Sequence, residues 1–568
     1  MSREWASGTG AFALVAVLGF DGGGYAATAW GWSSVVLLAV LTVLLARGAP
    51  RPRTAALVFV GALTAVAAWQ AASLSWSSHV SASVLEVERT LTYVAAAAVF
   101  VLVGSTPALA AGVLAAATVL SADGLIEFDG AARLAEPIGY ANGAGILAVI
   151  GLLLSAGFAA RAARTSLACA AAAAAPLLAA CLYLTFSRGA WLALGIGFAA
   201  AVAIGRRRLS FAATALALAV PGAVGAVFAE HLAVVLLVCA LAAAVPLGLR
   251  AAPLPPQAVR SAFAVVLAAI PLLVVAAALV AVGGPREAWD SFRAQPTPTH
   301  GVTSQRVFDL SGRNRADYWS VAWRSYEEDP LLGAGAGTYA RTWLRERPVP
   351  QPVTDAHSLY LETLAELGPL GLALLLAAVA APFAGIRGPW AAVVFGPYVA
   401  FLAHAAQDWD WELPAVTTAG IVCGAAAIAG PAGPRLPRLA AVLPAALCVL
   451  AAVAFAGNNA LERSISAMDR LEWREARREA RRARTLQPWS PEPWRVLGEV
   501  ELAEGSLPAS RHYFRRGIRK DADEFELWIG LGLASEGRAR QAAFERAYRL
   551  NPLSPDLAEL GFKSRSAG

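Results

Sequence analysis

The feature that most constrains this chain is the recurrence of apolar runs of about 20 residues, separated by short polar turns, through its first 457 positions. A bilayer core about 30 Å thick is crossed by roughly that many residues in a helix, and a helix satisfies its own backbone inside lipid. The runs lie near 8–22, 26–46, 54–74, 89–104, 107–126, 140–160, 166–186, 189–205, 209–229, 232–249, 261–283, 366–386, 389–406, 413–430 and 439–457. They predict an all-α fold: a polytopic transmembrane helical bundle of about 13–15 spans. The first run is short and closes on Asp21-Gly22-Gly23-Gly24, which makes it a re-entrant candidate. Composition agrees. Of 568 residues 57% are hydrophobic and 15% charged, against roughly 45–50% and 25% in soluble globular chains.

Loop charges orient these spans. With the N-terminus inside, Arg47, Arg51, Arg53, Arg161, Arg164, Arg206, Arg207, Arg208, Arg250, Arg260, Arg387, Arg435 and Arg438 all face the cytoplasm, as the positive-inside rule requires. Two large polar features then fall on the extracytoplasmic side. One is a loop near 284–362, long enough to be functional and partly helical. The other is the tail 458–568, whose 111 residues carry 20 basic and 17 acidic side chains, almost as many charges as the 457 residues before it. The chain therefore divides into a membrane domain, 1–457, and a water-soluble C-terminal domain. A net charge of +6 gives no case for nucleic acid. The first run reads as an uncleaved helix. The five cysteines all sit in apolar runs without metal-ligand or disulfide spacing, so neither a metal nor a cofactor is expected.

The tail repeats itself. Trp494-x-x-Leu497-Gly498 returns as Trp528-x-x-Leu531-Gly532, and Arg481-Arg482-Ala483 as Arg515-Arg516-Gly517, both at a shift of 34 residues. The second copy is about four residues short near Ser535-Glu536-Gly537. This period and pattern resemble the tetratricopeptide repeat, whose units bury a core by stacking. A protein or peptide partner and a plain solvated cap are both consistent with it.

Candidate functional residues are those the orientation rule does not supply. Outside the long loop, Arg89, Arg133 and Arg188 stand at extracytoplasmic ends of spans, where a charge at membrane depth is costly. Arg89 has Glu86 and Glu88 as ready ion-pair partners. Arg133 precedes Gly139-Tyr140-Ala141-Asn142, and Arg188 lies in Ser187-Arg188-Gly189. The long loop holds nine arginines, among them Arg313, Arg315 and Arg324. Guanidinium forks bind phosphate bidentately, so this cluster suits a lipid-linked phosphate or diphosphate; pairing with Asp317, Glu327 or Glu328 is the simpler alternative for several of them. His357, within Asp355-Ala356-His357-Ser358 and close to Glu362, is placed to take a proton. Asp410 and Trp411, in the run after His404, offer a sugar contact or an interfacial belt. Gly333-Ala-Gly335-Ala-Gly337 reads as a helix-stopping turn more readily than as a phosphate loop, since no strand precedes it.

Taken in order, Arg315-x-x-Tyr318-Trp319, Asp329-Pro330-Leu331-Leu332-Gly333-x-Gly335-x-Gly337-Thr338-Tyr339, His357-Ser358-x-Tyr360-Leu361 and Ala365-Glu366-Leu367-Gly368-Pro369 resemble the signature of the O-antigen ligase and polymerase family. Ser187-Arg188-Gly189 and Gly139-Tyr140-Ala141-Asn142 match its upstream motifs, and the resemblance covers most of residues 1–457. Two departures stand out: Ser358 replaces the asparagine that often follows the histidine, and the Arg133 segment lacks the usual Gly-x-x-Asn-Pro-Asn form. The resemblance implies a glycosyltransferase of a bacterial cytoplasmic membrane, acting at its outer face on an undecaprenyl-diphosphate-linked glycan without a nucleotide sugar or an essential metal. It makes His357, Arg188 and Arg315 the catalytic candidates. Arg89, Arg133, Asn142, Arg313, Asp355, Glu362, Asp410 and Trp411 are the substrate-binding candidates. The acceptor is left open between a growing glycan, a lipid and a protein, that is, between ligase, polysaccharide polymerase and protein oligosaccharyltransferase. A polysaccharide transporter is the alternative from another class, and would show internal repeats and midplane charges that this sequence lacks.

Overall fold

A computed structural model describes residues 3–130, 133–204, 208–251, 269, 283–294, 312 and 314–562. Most of the expected span at 261–283, and the candidate Arg313, lie outside these residues. The described residues form an all-α membrane bundle. Nine of their helices are long and apolar enough to cross a bilayer, and four shorter apolar helices accompany them. The helices that build the bundle are α1 (Arg3–Phe20), α2 (Ala27–Ala46), α3 (Thr54–Ser73), α4 (Val80–Val103), α5 (Thr106–Ile126), α6 (Ala141–Arg161), α7 (Thr165–Leu184), α8 (Arg188–Ile204), α9 (Arg208–Val227), α10 (Leu232–Ala242) and α11 (Val245–Ala251). The long loop contributes α12 (Pro285–Arg293), α13 (Arg315–Glu328) and α14 (Tyr339–Glu346), and the bundle resumes with α15 (Leu359–Ala380), α16 (Ala391–Ala405), α17 (Pro414–Ile428) and α18 (Val442–Asp469).

The re-entrant expectation for the first run does not fit its packing. α1 lies alongside α5 from Gly8, against Gly112, to Gly19, against Leu120, so it reaches the same depth as that spanning neighbour. α6 is buried along nearly its whole length and forms the pillar of the bundle. α8 and α16 approach backbone to backbone: a methyl added at Gly197 would lie 2.6 Å from Gly396 O. Small residues permit such contact in lipid, where dispersion and not water exclusion holds helices together.

The basic turns gather at one end. A two-stranded antiparallel pairing of Pro50–Pro52 with Pro431–Arg435 joins the turn of Arg47, Arg51 and Arg53 to that of Arg435. Arg250 donates to Thr165 Oγ1 at 2.9 Å, beside Arg164, and the Arg161 guanidinium stands 5.6 Å from the Trp390 ring centroid. Among the described residues, the spans therefore run between this basic end and an opposite end that carries the motif residues.

At that opposite end α13 and α14 pack on the start of α15 through a small core of Tyr318, Val321, Ala322, Tyr339, Trp343, Ala356 and Ala365. The chain then leaves the bundle without a linker. α18 is one 28-residue helix whose first half is apolar and whose second half is polar, so the boundary expected at 457/458 falls inside it. The apolar and polar halves share one continuous helical backbone. Paired helices follow: α19 (Trp473–Leu486), α20 (Glu492–Ala503), α21 (Leu507–Ile518), α22 (Phe525–Leu533), α23 (Gly537–Leu550) and the short α24 (Pro555–Glu559). The repeated glycines do equivalent work, with Gly498 facing Phe514 and Gly532 facing Phe544.

Candidate functional site

Asp408, in the turn between α16 and α17, is the hub of the polar cluster at this end. One oxygen, Oδ2, accepts from Arg315 Nη2 at 2.6 Å and from Asn142 Nδ2 at 2.7 Å; the other accepts from Tyr140 OH at 2.7 Å and from the Trp409 N–H at 3.0 Å. Arg315 also donates its Nε to Gln407 O at 2.6 Å. Arg133 reaches the same group from the other side, donating Nε to Thr185 O at 2.6 Å and Nη2 to Asn142 Oδ1. Burial by itself would raise the Asp408 carboxyl. The Arg315 guanidinium, with His404 and His357 adding to it, instead holds it at about 2. The same carboxylate helps push the Tyr140 phenol well above its ordinary value, after burial. Tyr140 stays a neutral donor and stacks on Trp409 at 4.4 Å between ring centroids.

His357 projects from the segment that enters α15. Its Nδ1 lies 2.7 Å from Asp355 Oδ1, which also accepts the His357 backbone N–H at 3.0 Å. With Nδ1–H donated to Asp355, Nε2 carries the free lone pair. The imidazole lies against Tyr318 at 4.8 Å between centroids. Glu362 does a different job from the one Asp355 does. It accepts the Ala356 N–H and so shapes the turn that presents the histidine.

Backbone conformation marks the same places. Among the described residues, four non-glycines have positive φ: Phe186, Asn314, His357 and Leu471. The first precedes Ser187-Arg188, the second precedes Arg315, and the third is the candidate base itself. Left-handed backbone in non-glycine residues costs of order 1 kcal/mol or more and persists where surrounding structure imposes it, commonly at functional sites.

The other candidates divide clearly. Arg188 opens α8, and the glycine after it packs on the turn that holds Asp408: a methyl at Gly189 would lie 3.1 Å from His404 Nε2 and 3.4 Å from Gln407 Nε2. Arg89 is bound between the carboxylates of Glu86 and Glu412, while Glu88 turns to Asn458 at 3.2 Å. Asp410 is wholly buried and pairs with the equally buried His404, Nδ1 to Oδ1 at 3.0 Å. Trp411 is buried too, and its carbonyl accepts from Tyr93 OH and Thr417 Oγ1. Asp410 and Trp411 thus stand behind the surface as supports and offer a sugar no face.

The Gly333–Gly337 segment is a folded turn whose amides are already engaged. Glu366 accepts the N–H of Gly337 at 2.8 Å and of Tyr339 at 2.9 Å, and Ser73 Oγ accepts that of Ala336 at 3.1 Å. The residues that sequence reasoning missed are Asp408, Tyr140 and His404. Gln407-Asp408-Trp409-Asp410-Trp411-Glu412 offers three alternating acids. Nothing local distinguishes the one that faces three donors from the one that pairs inward with His404.

Residues 229–376 match a family model described as O-antigen ligase. The match takes in α13, α14 and most of α15, and with them Arg315, Asp355, His357 and Glu362. It leaves Arg89, Arg133, Asn142, Arg188 and Asp408 outside. No curated protein matches the chain.

Proposed function

We propose that this multi-pass membrane protein is a glycan transferase of the ligase or polymerase type, taking an undecaprenyl-diphosphate-linked glycan at the extracytoplasmic face of a bacterial cytoplasmic membrane. The observation that carries the reading is the gathering, at the end opposite the basic turns, of the Asp355–His357 pair, Arg133 with Asn142, and the Arg315–Asp408 pair, with the start of α8 at Arg188 packed on the same turn through Gly189. The family match to the segment bearing His357 and Arg315 supports it.

His357 Nε2 accepts the proton of an acceptor hydroxyl, and Asp355 steadies the imidazolium that forms. The acceptor oxygen bonds to the anomeric carbon as the bond from that carbon to the diphosphate breaks, and the lipid diphosphate departs with its electron pair. Attack opposite the leaving group inverts the anomeric centre. Arg188 and Arg133 hold the diphosphate and stabilise its growing charge. Arg315, already committed to Asp408 and Gln407, fixes α13 against the α16–α17 turn and leaves its remaining N–H groups for the phosphate. Arg89, enclosed by two carboxylates, is a brace between α4 and the α16–α17 turn.

Reconstituted transfer from a lipid-diphosphate glycan tests the roles. His357→Ala is expected to lower the rate by roughly 10²–10⁴-fold, the usual contribution of a general base, with insertion intact. Undiminished transfer by that variant refutes the assignment. Glycan profiles of a deletion strain then separate the acceptors: short lipid-linked units mean a polymerase, and long chains stranded on the carrier mean a ligase.

A further inference from the structure

Three ligand-type side chains meet where the C-terminal hairpins rest on the turn between α3 and α4. A ring nitrogen of His79 and one carboxylate oxygen each from Asp521 and Glu524 lie within 4.8 Å of one another. Local structure holds the groups in place. The His79 N–H donates to Ser77 Oγ at 3.0 Å, and its carbonyl accepts the Ser83 N–H, also at 3.0 Å. Ser83 Oγ donates to Ala336 O at 2.6 Å, which ties this turn to the glycine-rich loop. Asp521, just past α21, accepts the Asp523 N–H on Oδ1 at 3.0 Å.

The cluster is one cation short. Asp521 and Glu524 bring two negative charges, and Arg341 is shared between them, at 2.6 Å and 3.6 Å. Arg341 also donates to Ser78 O. Glu492 and Glu526 add negative potential around Glu524 and are themselves shared by Arg495. The His79 ring stands beside these carboxylates. Yet its Nδ1 is shielded from solvent and has no hydrogen-bond partner among the described residues. A buried polar nitrogen left without a partner is costly.

We infer that His79, Asp521 and Glu524 form a site for a divalent transition metal of the Zn²⁺ class, which clasps the C-terminal hairpins to the membrane bundle. One imidazole nitrogen and two carboxylate oxygens are a donor set that suits Zn²⁺, with water completing the tetrahedron. Bonds of about 2.0–2.2 Å space tetrahedral ligands by roughly 3.4 Å, so the ligand atoms close in from at most 4.8 Å. The ion satisfies the His79 nitrogen and the surplus carboxylate charge, and Arg341 becomes an outer partner of Asp521. This clasp is independent of the transfer chemistry, and its ligands come from distant parts of the sequence.

The test uses the full-length, untagged protein in nanodiscs, stripped with chelator and titrated with ZnCl₂. Wild type is expected to retain one equivalent, and the Asp521→Asn/Glu524→Gln double variant none. Arg341→Gln, which removes a competing positive charge, is expected to tighten Zn²⁺ binding several-fold. If the cluster is only an ion pair with Arg341, that variant gains nothing. A second readout is tryptic cleavage after Arg519 and Lys520, which Zn²⁺ should slow in wild type alone. Absence of stoichiometric Zn²⁺ in wild type, retention in the double variant, or unchanged binding in Arg341→Gln overturns the assignment.

Discussion

At the scale of single residues, the site depends on one carboxylate that three side-chain donors approach, two from the start of α6 and one from α13. Asp408→Ala leaves the Arg315 guanidinium, the Asn142 amide and the Tyr140 hydroxyl facing a void. Breaking a buried charge pair from one side costs about 3–5 kcal/mol, so a fall in the thermal midpoint is expected along with loss of transfer. An unchanged midpoint in a detergent melt would count against the hub. The lowered pKa of Asp408 also fixes a sign. Its stabilising contribution is complete above the ordinary carboxyl range, near pH 4, and disappears only as pH falls toward about 2. An acid limb in a pH–rate profile between about pH 5 and pH 7 therefore belongs to another group, and a profile recorded on Asp408→Asn should keep that limb. Gly189 is a second sensitive point. A methyl there meets the buried His404 ring at 3.1 Å, and a Gly189→Ala variant should lose transfer even though Arg188 itself is untouched.

Among elements, the break in α15 decides where the motif residues stand. Gly368 sits inside this helix at φ +65, with Pro369 next, and a Cβ at Gly368 would lie 2.4 Å from Leu331 O. The kink lets Trp69 Nε1 donate to Leu367 O at 2.9 Å, and it turns Glu366 toward the amides of Gly337 and Tyr339. Gly368→Ala is expected to cost about 1–3 kcal/mol, from strain and contact together, read as a lower unfolding midpoint; a midpoint equal to wild type would dismiss the constraint. Much of this element was open to reading in advance. Glycine before proline in an apolar helix signals a break, and the apolar periodicity gave the spans. The partners of the break were not readable, because Leu331 and Trp69 meet it only through folding.

For the molecule as a whole, the question is how the C-terminal hairpins are held. Arg347, almost fully buried, donates to Pro350 O at 2.7 Å, Asn551 Oδ1 at 2.9 Å and Leu553 O at 2.8 Å, so it joins the long loop to the end of the tail. At the other side of the tail Gln487 donates to Asn458 Oδ1, and Asn458 donates to Glu88 of α4. Arg347→Ala leaves these buried acceptors unpaired, at about 1–3 kcal/mol. Limited proteolysis should then release fragments of α22–α24 faster than in wild type, and equal rates would show that the hairpins are held elsewhere. The continuity of α18 implies that the tail moves with the bundle and not on a tether.

The sequence by itself determined the solvent of each segment, since helices in lipid must be apolar over a fixed length and basic turns collect on one side. It also pointed to Arg188, because charge at a membrane rim is expensive, to His357, because a neutral-range base is rare, and to Arg315, through the family motif that it resembles. Only the tertiary structure decided which charges are enclosed by partners from distant parts of the chain. Arg89 had Glu86 and Glu88 as local partners in one dimension, and folding adds Glu412, which arrives from 323 positions away. Asp408, not Asp410, became the hub for the same reason: which side of a tight turn a carboxylate faces is set by the helices packed around it, and those contacts do not exist until the chain has folded.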